Sequence, residues 1–146
     1  MSIRDRLRQF ALAMAAALPL VFAAPASANV VAEIDLSRQM MEVTVDGAWY
    51  ATWPVSTARK GYRTPTGSFR PTVLKRMWYS RKYDHSPMPY SIFYSGHFAI
   101  HGTDQVRKLG RPASSGCIRL HPRNAAKLFS LVQSEGLKNM RVVVVD

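Results

Sequence analysis

The stretch from Val31 to Leu36 reads Val-Ala-Glu-Ile-Asp-Leu, and Met41, Val43 and Val45 then alternate with Glu42 and Thr44 before Asp46-Gly47. Alternation with a period of two predicts strands with one buried face, and Asp-Gly beside such a run predicts a tight hairpin turn. Trp49 to Ser56 is the expected return strand, with Pro54 marking an edge or a bulge because proline cannot donate to a ladder. Working outward, a loop is expected from Ala58 to Ser68, containing Gly61, Pro65 and Gly67. A strand follows from Phe69 to Trp78, then a polar loop with aromatics and prolines from Tyr79 to Pro89. Tyr90 to Tyr94 and Phe98 to Ile100 read as short strands around Ser95-Gly96. A polar connection after His101 leads to Gly116-Cys117, and apolar character resumes at Ile118 and Leu120. Pro122 at a first helical position, Ala125, Leu128, Phe129 and Val132 on one face, and Gly136 as a stop predict a helix. Arg141 to Val145 closes the chain as a buried strand. The expected fold is mainly β, a small mixed sandwich or barrel with one packed α-helix near the C-terminus.

The chain has 146 residues, 47% hydrophobic, with 20 Lys plus Arg against 9 Asp plus Glu and a net charge of +11. That balance excludes an acidic disordered tail, and the length excludes a multidomain machine. Arg4, Arg6 and Arg8 precede an apolar stretch from Phe10 to Ala24, broken by Pro19 and followed by Ala26-Ser27-Ala28. This is the pattern of a secretory signal peptide over residues 1–28, with cleavage after Ala28. The apolar stretch is shorter than the roughly 20 residues that span a bilayer, so no stable membrane insertion is expected. Residues 29–146 form the expected exported domain, placed in the periplasm or cell wall. Residues 1–28 carry three Arg and one Asp, so 17 basic and 8 acidic residues remain in that domain, a net charge of +9. An exported basic domain meets anionic wall polymers rather than nucleic acid. A single Cys forms no internal disulfide, and no zinc-finger spacing is present.

Cys117 lies in Ser114-Ser115-Gly116-Cys117-Ile118-Arg119. A free Cys is commonly a small buried apolar residue. A glycine directly before the thiol fits a nucleophile instead, because backbone N–H groups in such a turn can converge beside the sulfur and stabilise an oxyanion. Arg119 adds positive potential that favours thiolate, so a thiol partly ionised at neutral pH is expected. On these residues alone both readings stand. A nucleophile needs a base, and the candidates are His85, His97, His101 and His121. His101 is preferred because it ends an apolar strand and precedes Gly102. His85 lies in a polar loop, His97 is expected on the other side of a short strand, and His121 is expected to cap the helix. His97, His101 and Cys117 lack a carboxylate or supporting pattern for a metal, so no metal and no cofactor are expected.

The pattern Ile100-His101-Gly102-Thr103, Leu109-Gly110-Arg111-Pro112 and Ser114-Ser115-Gly116-Cys117-Ile118-Arg119-Leu120 resembles the catalytic domain of L,D-transpeptidases, the YkuD type. Val55-Ser56-Thr57 and Thr64-Pro65-Thr66-Gly67-Ser68-Phe69 are similar to earlier segments of that family. The resemblance implies that Cys117 is the nucleophile, that His101 is general base and acid, and that the Gly102 backbone carbonyl orients His101. Ser114, Gly116 and Arg119 would form the oxyanion and substrate set, with Gly116 and Cys117 supplying amides. The implied partners are peptidoglycan stem peptides, as donor and as acceptor, joined through a cysteine thioester with release of D-alanine. Many relatives carry His before the Gly-Cys pair, where this chain has Ser115. A hydrolase passing the same thioester to water, and a non-catalytic wall-binding module, are the alternative expectations.

Overall fold

The computed structural model describes residues 28–146, so the expected signal segment lies outside the described residues apart from Ala28. Nine strands and one α-helix follow in the order β1 Val30–Asp35, β2 Met40–Val45, β3 Ala48–Pro54, β4 Gly67–Phe69, β5 Val73–Tyr79, β6 Pro87–Ser95, β7 Phe98–Gly102, β8 Ile118–Leu120, α1 Pro122–Glu135 and β9 Met140–Val145. One sheet runs β3-β2-β1-β9-β4 and the other β5-β6-β7-β8. The mainly β architecture with a single packed helix is as expected from the sequence.

The first sheet follows from the alternation that decides it. Val30, Ala32 and Ile34 of β1 are buried, as are Met41 and Val43 of β2. β9 lies parallel to β1 with Val30 opposite Met140 and Ile34 opposite Val144, which extends the same apolar row. Asp46 (φ 51°) and Gly47 (φ 79°) are both left-handed, the geometry a twisted two-residue hairpin requires. β3 is an edge strand, where Pro54 leaves no ladder bond unmade.

The second sheet closes the core from the other side. Ile92, Ile100, Ile118 and Leu120 join the first sheet's row in one cluster. The face Ala125, Leu128, Phe129 and Val132 of α1 completes it, with Tyr90 set against Phe129 at 5.6 Å between ring centroids. Pro122 opens the helix, His121 Nδ1 accepts the Arg123 N–H at 3.1 Å, and Gly136 ends it.

Two segment boundaries differ from the sequence reading. Phe69 to Trp78 is not one strand: Gly67–Phe69 belongs to the first sheet and Val73–Tyr79 to the second. The break falls at Arg70-Pro71-Thr72, where buried Pro71 cannot continue a ladder and the chain crosses between sheets. The loop expected from Tyr79 to Pro89 is shorter, because β6 already begins at Pro87. Pro87 and Pro89 sit in an irregular strand, where Tyr90 has φ 55° and the pairing with β5 skips one residue.

Candidate active site

Parallel pairing of β7 with β8 sets Ile100 opposite Ile118 and His101 opposite Arg119. Cys117 directly precedes β8, so the two reactive candidates enter one cavity from neighbouring strands. That cavity, about 590 Å³, is lined by His101, Cys117, Arg119 and Ser114, and by the loop after β5 through Tyr83. Cys117 Sγ lies 3.8 Å from the His97 carbonyl oxygen.

His101 is buried, and its Nδ1 lies 2.7 Å from the Gly102 carbonyl oxygen. A carbonyl only accepts, so Nδ1 carries the proton and Nε2 is left as the acceptor nitrogen. Burial pushes His101 down to about 4; the Gly102 bond opposes that shift and the Arg119 charge adds to it. The imidazole is therefore neutral at neutral pH. Gly102 is packed tightly as well: a side chain there would meet Pro122 Cα at 3.1 Å, so the start of α1 holds the carbonyl that holds the ring.

The expectation of a partly ionised thiol is corrected here. Burial pushes the Cys117 thiol up, and this outweighs the Ala99 backbone contact and the Arg119 charge, both of which favour thiolate. The free site therefore pairs a neutral thiol with a neutral imidazole.

The turn before the thiol is fixed by side chains. Ser114 Oγ donates to the Cys117 carbonyl at 2.6 Å and accepts the Gly116 N–H at 3.0 Å. The Gly116 amide is thus engaged by Ser114, which corrects the expectation that it stands free as an oxyanion donor. Gly116 (φ 131°) admits no side chain, because a Cβ would lie 2.6 Å from Phe98 Cε1 and 2.9 Å from the Arg63 carbonyl. Thr64 Oγ1 donates to the Gly116 carbonyl at 2.9 Å.

A second segment clamps this turn from the first sheet's side. Ser56 exchanges both backbone bonds with Arg119, at 3.0 and 2.9 Å, and the Thr57 carbonyl accepts from Ala113 and Ser114. Gln39 secures that clamp, donating to Thr57 Oγ1 and accepting the Thr57 N–H at 2.9 Å. Ser56, Thr57, Thr64 and Gln39 are all buried. Their structural role was not read from the sequence; the signal available was a run of small polar residues around the Gly/Pro loop at 58–68.

The other histidines part company. His97 was expected away from the site, yet it lines the same cavity, its ring stacked on Phe98 at 4.2 Å. His85 lies in the exposed loop after β5, and His121 caps α1. Among the described residues no three His, Cys, Asp or Glu side chains gather as metal ligands, and no helix is long and apolar enough to cross a membrane.

Comparison with known proteins extends these observations to the whole domain. The chain is 23% identical over 103 residues to YkuD of Bacillus subtilis (strain 168), a protein assigned as an L,D-transpeptidase, covering 68% of this chain and 58% of that one. Its fold is similar to the LD transpeptidase LdtMt1 solved with imipenem, at a TM-score of 0.72 and 22% identity, over 80% of this chain and 59% of that one. The L,D-transpeptidase of Stackebrandtia nassauensis matches at a TM-score of 0.71 and 25% identity, over 81% of this chain and 56% of that one. The chain thus spans less than two thirds of the length of these relatives. Residues 29–145 match the model of the L,D-transpeptidase catalytic domain, from the first strand through the last, and the chain belongs to that family.

Proposed function

We propose that this chain is an exported peptidoglycan L,D-transpeptidase, with Cys117 as nucleophile and His101 as general base and acid. The observation that carries the reading is one shared cavity holding Cys117 and a neutral His101 whose Nδ1–H is taken by the Gly102 carbonyl. In the first half-reaction Cys117 Sγ attacks the carbonyl carbon of an L,D peptide bond in a donor stem. His101 Nε2 accepts the thiol proton as the S–C bond forms. The oxyanion is stabilised by backbone N–H groups beside the sulfur, the Cys117 amide in place of the engaged Gly116 amide. Collapse breaks the C–N bond, and His101 passes its proton to the departing nitrogen, so D-alanine leaves and a thioester remains. An acceptor amine then attacks the thioester, His101 takes its proton, the C–S bond breaks and the thiol is reprotonated. A new amide joins two stems.

Pairing a neutral thiol with a neutral imidazole suits this scheme, because charge develops only as substrate displaces water from the cavity. The net charge of +9 over residues 29–146 favours an anionic polymer as partner. The signal-like residues 1–28 support export to the periplasm or cell wall. The test is mass spectrometry of muropeptides incubated with the protein. A crosslinked dimer with loss of D-alanine is expected; a shortened monomer alone means that water is the acceptor, and binding without turnover means a wall-binding module.

A further inference from the structure

Among the described residues one buried side-chain oxygen has no hydrogen-bond partner, the hydroxyl of Tyr94. Tyr94 is only 3% exposed and stands in the core, its ring tilted against Phe69 of the first sheet at 5.3 Å between centroids. A buried, unpaired hydroxyl is costly, and phenylalanine would fill the same space without that cost. An orphaned hydroxyl in an otherwise satisfied interior marks a place to look for function.

The place of Tyr94 in the sheet supplies one. Phe93 pairs with Ala99 and Ser95 with Phe98, so Tyr94 is the extra residue of a bulge in β6, and a bulge re-aims the side chain it carries. The stretch of β7 opposite this bulge is also where the reactive sulfur rests: Cys117 Sγ lies 3.8 Å from the His97 carbonyl oxygen and meets the Ala99 backbone N–H. Burial pushes the Tyr94 hydroxyl up and a charge on Cys117 pushes it further, so the phenol keeps its proton when the thiol loses its own. The other ionisable groups around the sulfur come from the cavity side: His97 and His101 of β7, Asp104 beyond it, Arg119 of β8, and Arg81, Lys82 and Tyr83 from the loop after β5. Arg59 acts on Arg119. Tyr94 does not line that cavity and comes instead from between the sheets. A thiol is a weak acceptor and a thiolate a strong one, and the Tyr94 O–H has no competing acceptor to hold it.

We propose that the Tyr94 hydroxyl, on the core side of β7, supports the charge on Cys117: it turns towards the sulfur when His101 removes the thiol proton, keeps its own proton, and offsets the burial that opposes the thiolate. This rests on reading Cys117 as the nucleophile and adds a supporting group that the cavity does not show.

Cys117 is the single cysteine of the chain, so alkylation by iodoacetamide across a range of pH, read by intact-protein mass spectrometry, reports its thiolate alone. In Tyr94→Phe the midpoint of the rate profile should rise by roughly one unit, which makes alkylation near neutral pH about tenfold slower, with the plateau at high pH unchanged. The variant should melt at the same temperature or higher, because it sheds an unpaired hydroxyl. Phe69→Leu is the control: it loosens the packing of the same ring and should lower the melting temperature without moving the midpoint. An unmoved midpoint in Tyr94→Phe, a lowered plateau, a loss of fold, or an equal shift in Phe69→Leu assigns the tyrosine to packing and overturns the proposal. Alkylation needs no peptide, so turnover of muropeptides by the unmutated chain is scored separately. A midpoint that depends on Tyr94 without turnover keeps the tyrosine's role and removes the acyl-transfer reading.

Discussion

Ser114 Oγ donates to the carbonyl of Cys117 across 2.6 Å, so the residue three positions before the thiol sets the conformation of the residue that bears it. The same oxygen accepts the Gly116 N–H, which makes one buried hydroxyl the fastener of the whole turn. Ser114→Ala leaves that donor and that acceptor unmatched. Stability should fall by about 1–2 kcal/mol, with kcat reduced roughly tenfold and KM little changed. Denaturant titration and steady-state kinetics check both parts, and an unaltered kcat would show that the turn holds without Ser114.

Cys117→Ala should abolish acyl transfer while costing only about 1 kcal/mol of stability. The companion measurement is intact-protein mass spectrometry with a carbapenem, the drug class present in a solved relative. A covalent adduct is expected on the unmutated protein and not on Cys117→Ala. Turnover by purified Cys117→Ala would remove the thiol from the reaction.

His101→Ala should lower kcat by about 10²–10⁴, the range of a positioned general base. His85→Ala should be close to neutral, because His85 lies in an exposed loop. His97→Ala should fall between them, since that ring lines the cavity on Phe98 without a place in the proton path. Equal losses at all three would point to a shared role and away from a single base.

Burial holds His101 at about 4 in the folded chain, against the usual 6.5. Between those values the unfolded chain binds the extra proton and the folded chain does not, so stability rises with pH through that window. Acidification from pH 6.5 towards 4 should therefore cost up to about 3 kcal/mol from this group alone. His101→Gln should flatten that part of the pH profile, as read by chemical denaturation at several pH values. The same steepness in His101→Gln would place the effect elsewhere.

Gly116→Ala should be severe. The added methyl would lie 2.6 Å from Phe98 Cε1 and 2.9 Å from the Arg63 carbonyl, at φ 131°. A loss of about 2 kcal/mol or more is expected, together with activity, because the turn must move and carry Cys117 with it. Normal melting and normal turnover in Gly116→Ala would show that the turn relaxes at little cost.

Local alternation carried most of the fold. β1, β2 and α1 were legible because one face of each is apolar at a fixed period, and Asp46-Gly47 and Gly136 mark their ends. Phe69 to Trp78 misled because its composition suits a strand on both sides of Pro71, and only the tertiary crossing assigns the two pieces to different sheets. Pro87 and Pro89 hid the start of β6 for a related reason, since proline is a poor strand former and only the pairing with Met77 and Tyr79 of β5 shows that the strand already runs there. At the site, Cys117 and His101 could be named as candidates from residue type and flanking glycines, whereas Gly102 as the partner of the His101 ring came only from the family resemblance, because a backbone carbonyl leaves no mark in the residue type. The partner of the Gly116 amide and the burial that raises the thiol could not be named, because both depend on atoms far along the chain. Gln39 is the extreme case: it acts on the Cys117 turn through Thr57 and Ser114, and no local pattern around it announces that.

The parallel pairing of β1 with β9 also governs when this architecture can exist. Val30 meets Met140 and Ile34 meets Val144, and β4 reaches the sheet only through β9. During synthesis the strand made first among those described waits for the one made last. Contacts this distant along the chain slow folding, because loop closure precedes the gain from pairing. Until residues 140–145 arrive, β1 and β4 present open edges, and a chain halted at residue 139 would lack the strand that joins them. Maturation of the domain is thus timed by its final strand.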